Sequence, residues 1–163
     1  MPAVISRALG VAALSLCAVI GTSTLLAADL PATEKLTFYR LYTSADGNSH
    51  FMDDTIELKP LNGRGPEADL KAASVGDVKN AMFLALKAGK TEDYHIAPRR
   101  QFMLCVRGVV EVVAGDGEKR RVLPGQFVLL EDTKGKGHIT RSVGPEDHVA
   151  LAFPLADDVL VKK

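Results

Sequence analysis

Apolar and polar residues alternate along most of this chain in short runs, with turn residues roughly every ten positions. The runs "KLTFYRLYTS" (35–44) and "HFMDDTIELKP" (50–60) are rich in β-branched and aromatic residues, and Asp46-Gly47 lies between them. That arrangement predicts an N-terminal β-hairpin. From Ala81 onward, "AMFLALKA", "DYHIA", "QFMLCVRG", "VVEVVAG", "EKRRVL", "QFVLLED", "HITRSVG" and "HVALAFPL" read as further strands. The segments "AGK", "AGDGE", "PGQ", "TKGKG" and "GPED" separate several of them as turns. Many short strands with regular turns predict an all-β sandwich or barrel. One stretch breaks the pattern. Gly63, Gly65 and Pro66 mark a loop, and "PEADLKAAS" (66–74) predicts two helical turns on a surface connection.

Side-chain parity says which strands are covered on both sides. Gln101, Met103, Cys105 and Arg107 share one face of their strand, and Phe102, Leu104 and Val106 share the other. Apolar residues on both faces are expected where one lines a barrel and the other packs outward. An inward Gln101 then needs a hydrogen-bonding partner, because burying a bare amide is costly.

The first thirty residues have a different character. Arg7 is the only charge before Asp29, Ala8 to Ile20 is almost wholly apolar, and "GTSTLLAAD" follows. A positive start, a short apolar run and small residues predict a signal peptide over 1–28, cleaved near Ala27 or Ala28. The alternative is an uncleaved anchor, since 8–28 is just long enough to span a bilayer. Cleavage leaves residues 29–163 as one domain, in the periplasm or outside the cell, free of the membrane. The mature chain would carry a net charge of −1 and a single cysteine, Cys105, so no internal disulfide forms. Cys105 lies mid-strand between Leu104 and Val106, as a small buried hydrophobe does. A near-neutral chain without a basic stripe or any Trp excludes a nucleic-acid surface as its main business.

The polar residues that remain are spaced suggestively. Gly89 is followed by five residues and His95, then by Ala97, Gln101 and Gly108; Pro124-Gly125-Gln126 comes later, and then His138. This spacing resembles the cupin family, whose first motif reads G, five residues, H-x-H, three or four residues, E, six residues, G. Its second motif opens on a P-G turn and supplies one more histidine. Ala97 stands at the second histidine position and Gln101 at the glutamate position. The resemblance covers roughly 81–154.

The resemblance implies a jelly-roll β-barrel, with the N-terminal hairpin extending one sheet and His95 and His138 facing the lumen. It also implies what is missing. Metal-binding members hold Fe, Mn, Ni, Zn or Cu with three histidines and a glutamate, and two of those four positions survive here. Gln101 offers a carbonyl oxygen but cannot offset the charge of a divalent ion. The leading expectation is therefore a small organic molecule bound in the barrel by His95, Gln101 and His138, with Met103 and Arg100 contributing. The alternative is a metal-dependent oxidoreductase, dioxygenase or isomerase. There His95, His138 and Gln101, or else His50 or His148, would surround Zn, Fe, Mn or Cu. A structural module with His95 as a satisfied core histidine is the third reading, and a homodimer through the outer sheet is compatible with each.

Overall fold

A computed structural model describes residues 34–60, 70–78 and 80–156. The expected signal peptide lies outside the described residues. Eleven strands follow in chain order. They are β1 (Glu34–Thr43), β2 (Ser49–Pro60), β3 (Lys71–Ala72), β4 (Met82–Leu86), β5 (Thr91–His95), β6 (Gln101–Arg107), β7 (Val109–Val113), β8 (Lys119–Val122), β9 (Phe127–Glu131), β10 (His138–Val143) and β11 (His148–Pro154). Among the described residues there is no helix.

The strands form two sheets, one of seven in the order β3-β2-β1-β9-β6-β11-β4 and one of four in the order β5-β10-β7-β8. Successive strands repeatedly cross from one sheet to the other, as in a jelly roll. The expected hairpin forms: β1 and β2 pair antiparallel from Glu34↔Leu58 to Thr43↔Ser49. The hairpin joins the larger sheet through a parallel pairing of β1 with β9, Tyr39 opposite Val128.

Alternation along the strands sorts the apolar residues into two cores. The inner one, between the sheets, contains Leu41, Cys105, Val110, Val112, Val128 and Leu130. The outer one contains Phe38, Phe102, Leu129 and Leu155, with Phe127 and Phe153 packed against it. Phe38 stacks on Phe127 at 5.2 Å and meets Phe102 edge-on at 5.5 Å, arrangements that the ring quadrupole favours. The parity expected for β6 holds, with Cys105 inside and Phe102 outside.

The predicted helical turns over 66–74 do not form where the chain is described. Residues 66–69 lie outside the described residues, and Lys71–Ala72 is a short strand paired with Lys59 and Pro60 of β2. An extended path carries Val75 onto the outer aromatic cluster. Burial of that apolar side chain outweighs a helix propensity worth tenths of a kcal/mol per residue.

Candidate functional site

Strands β5 and β10 run antiparallel, with His138 directly opposite His95. The two imidazole centroids are 4.4 Å apart and the rings are tilted by 54°. A glycine makes this approach possible. Gly137 has φ +73°, and a Cβ there would fall 2.0 Å from the His95 carbonyl oxygen, so no other residue lets β10 begin so close to β5. Gly108, which closes the first motif, is constrained in the same way. Its φ is +69°, and a Cβ would meet the Asp147 carbonyl oxygen at 2.7 Å.

Both rings are anchored through Nδ1. His95 Nδ1 lies 2.8 Å from the backbone carbonyl of Asp93, and His138 Nδ1 lies 2.6 Å from Asp132 Oδ2. Each acceptor is an oxygen, so Nδ1 is the donor in each contact, and Nε2 is the ring nitrogen left for another partner. Asp132 is wholly buried and His138 nearly so. The other Asp132 oxygen, Oδ1, has no hydrogen-bonding partner. Exposure increases outward from this pair. The His95 side chain is 37% exposed, and its Nε2 lies 3.9 Å from Oε2 of Glu92, which is 59% exposed.

His95 and His138 border a cavity of about 380 Å³ that residues of both sheets line, within the size range of small-molecule sites. Gln101, buried at the start of β6, lines it from the larger sheet, with Met103, Leu130 and Ala150 around it. Glu92, Arg99, Thr140 and His148 complete the polar lining. His148 is buried, and burial pushes its pKa below 6.5, partly offset by a hydrogen bond to the Arg107 backbone. Its Nδ1 lies 3.6 Å from the Cys105 sulfur, and burial raises the pKa of that thiol. A raised thiol beside a largely neutral imidazole is a packed pair rather than an activated nucleophile.

The sequence-predicted residues therefore divide. His95, Gln101, His138 and Met103 come together at one cavity, and His148 joins them. Arg100 does not line it. Its Nε donates to Glu131 Oε1 at 2.5 Å, and Arg40 donates to the other oxygen of the same carboxylate. The neighbouring Arg99 occupies the lining instead, because adjacent residues at the turn before β6 point apart. His50 is elsewhere, held between Asp46 at 3.0 Å and Asp116 at 2.7 Å. Sequence reasoning passed over Asp132. Its one signal is an acidic residue ending the apolar run "FVLLED", and an aspartate this deep needs a partner.

The expected metal ligands do not assemble into a centre. Anchoring through Nδ1 would suit a ligating imidazole, but the two remaining cupin ligand positions supply no charged donor, and His148, though it lines the same cavity, does not converge with His95 and His138 on one point. Ala97 has no donor, and Gln101 is neutral. Among the described residues no three of His, Cys, Asp and Glu converge on one point. Two imidazoles and an amide do not fit a tightly held transition-metal ion.

No family model matches the chain, and no curated protein matches it. It is similar to several solved structures. One is the DMSP lyase DddQ from Ruegeria pomeroyi DSS-3, at 23% identity and TM-score 0.41, where the match spans 50% of this chain and 40% of the lyase. A second is a sugar phosphate isomerase from a cupin superfamily, from Silicibacter pomeroyi DSS-3, at 17% identity and TM-score 0.40, covering 77% of this chain and 72% of that one. A third is a cupin 2 conserved barrel domain protein from Leptotrichia buccalis, at 11% identity and TM-score 0.38, covering 78% and 86%. Two sheets roll together as a jelly roll, Gly89, His95 and Gly108 frame β5 and β6, and His138 follows the Pro124-Gly125 turn, so the architecture is the one that the resemblance to cupins implies.

Proposed function

We propose that this is an exported cupin-fold protein whose barrel binds a small organic molecule through His95, Gln101 and His138. One observation carries the reading. Two imidazoles anchored through Nδ1 stand on one wall of a 380 Å³ cavity, and the Gln101 amide stands on the other sheet. Two Nε2 acceptors and an amide able both to donate and to accept suit a ligand carrying hydroxyl and carbonyl groups. Met103, Leu84 and Ala150 supply the apolar contact that most of a ligand's surface requires. Arg99 favours a carboxylate among such ligands.

The test uses mature protein purified without a metal-affinity tag. A thermal-shift screen against small carboxylic acids, sugars and sugar acids is expected to yield a stabilising compound whose effect disappears in Gln101→Leu. Elemental analysis of the same protein decides against the alternative. Near one equivalent of a transition metal, lost in both His95→Ala and His138→Ala, would overturn the binder in favour of a metal-dependent oxidoreductase or isomerase. Export is tested separately by N-terminal sequencing of the mature protein, with a start at Ala28 or Asp29 expected.

A further inference from the structure

The Asp132–His138 pair does more than a binding role needs. A carboxylate with no solvent exposure is held 2.6 Å from a ring nitrogen, and such burial is costly for a group that serves only as filler. Asp132 does not line the cavity and His138 does. Nδ1 is taken by Asp132, which leaves Nε2 as the ring nitrogen available to a guest. Among the described residues the only hydrogen bond of this ring is the one through Nδ1, so Nε2 keeps its lone pair for that guest.

Resting on the cavity reading above, we propose that Asp132 and His138 form a general-base pair that withdraws a proton from the carbon next to a carbonyl group of a small molecule in the barrel. His138 Nε2 takes the proton, and the C–H electron pair moves into a carbon–carbon double bond while the carbonyl oxygen becomes an enolate. Asp132 is the positioning residue. It fixes the tautomer and faces the imidazolium that forms. Gln101 has the matching role on the opposite sheet. A glutamate at that position would repel an enolate, whereas an amide N–H donates to it. Arg99 adds positive charge at the same cavity. Return of the proton to carbon completes an isomerisation or an exchange, and no oxidant or metal is consumed. His95 and Glu92, increasingly exposed, lead from His138 towards water.

The probe is 5-nitrobenzisoxazole, a compact carbon acid. Loss of its C3 proton to a base breaks the N–O bond and releases a coloured cyanophenolate. Mature protein is expected to turn it over with saturation, at least about a hundredfold faster than free imidazole at equal concentration and pH, and His138→Gln is expected to lose that excess. A wild-type rate no greater than that of free imidazole overturns the base. Should His138→Gln fail to fold, Asp132→Asn decides. It is expected to lower kcat about ten- to a hundredfold with KM unchanged. Nitrogen-15 spectra should show His138 passing from the Nδ1–H tautomer to a mixture. An unchanged tautomer and kcat would overturn the role of Asp132. The cavity reading is judged apart, by thermal stabilisation with the unreactive analogue 6-nitrobenzotriazole. Stabilisation without turnover leaves the binder standing and removes the base.

Discussion

Gly137→Ala isolates the contact that brings the two histidines together. Two costs arise. The backbone holds φ +73°, and a left-handed conformation costs a residue with a Cβ about 1–2 kcal/mol. The new methyl would also lie 2.0 Å from the His95 carbonyl oxygen, 2.4 Å from its carbonyl carbon and 2.8 Å from Ile96 N. These are backbone atoms of a paired strand, with no flexible side chain to swing aside. Relieving such overpacking costs about 1–3 kcal/mol. The total is about 2–5 kcal/mol, which for a domain of this size lowers Tm by roughly 5–20 °C. Gly117→Ala is the matched control. Its φ is +95°, but nothing lies within 4 Å of a Cβ there, so only the conformational cost remains, about 1–2 kcal/mol. Calorimetric melts of the two variants, with the wild type, read the difference directly. Equal losses would show that the close approach of β10 to β5 does not exist as described, and the His95–His138 pairing would fall with it.

Histidine titration gives a second check with opposite signs at two positions. Burial depresses His148 below 6.5, so its contribution to stability is present above that pH and is lost as pH falls through the lower folded value. His50 is raised above 6.5, chiefly by its hydrogen bond with Asp46, whose own pKa falls to about 2. Its contribution is present below 6.5 and is lost as pH rises through the higher folded value. Proton NMR of the imidazole C–H signals should therefore show His148 titrating below 6.5 and His50 above it, with Asp46→Ala moving His50 downward; the reverse order would contradict both environments. Glu131→Ala should destabilise the protein by about 2–4 kcal/mol, because it leaves the partly buried Arg40 and Arg100 without their shared carboxylate. Urea unfolding measures it, and a loss below about 0.5 kcal/mol would make this an ordinary surface pair.

Much of the fold is local information. The period-two pattern marks each strand from Ala81 onward to within a few residues, and the same alternation separates Cys105 from Phe102 before any sheet is assembled. Turn glycines with positive φ, such as Gly47 and Gly89, punctuate those strands because only glycine adopts that conformation without strain. The glycine spacing around His95 likewise pointed to the wall of a barrel.

What the chain alone determined is most of the strands and their inward and outward faces, which follow from side chains a few positions apart; His95 and His138 as residues of one lumen came from the resemblance of their spacing to the cupin pattern. What only the tertiary structure decided depends on residues brought together by closure of the two sheets. Extended backbone won over helix at Lys71–Ala72 because Val75 found an aromatic cluster built from distant strands. Arg100 left the site for Glu131, and Arg99 took its place, because the partner carboxylate lies on a neighbouring strand. Asp132 became a buried partner of His138 rather than a solvated charge, because the two sheets close over it and exclude the water that would otherwise satisfy it.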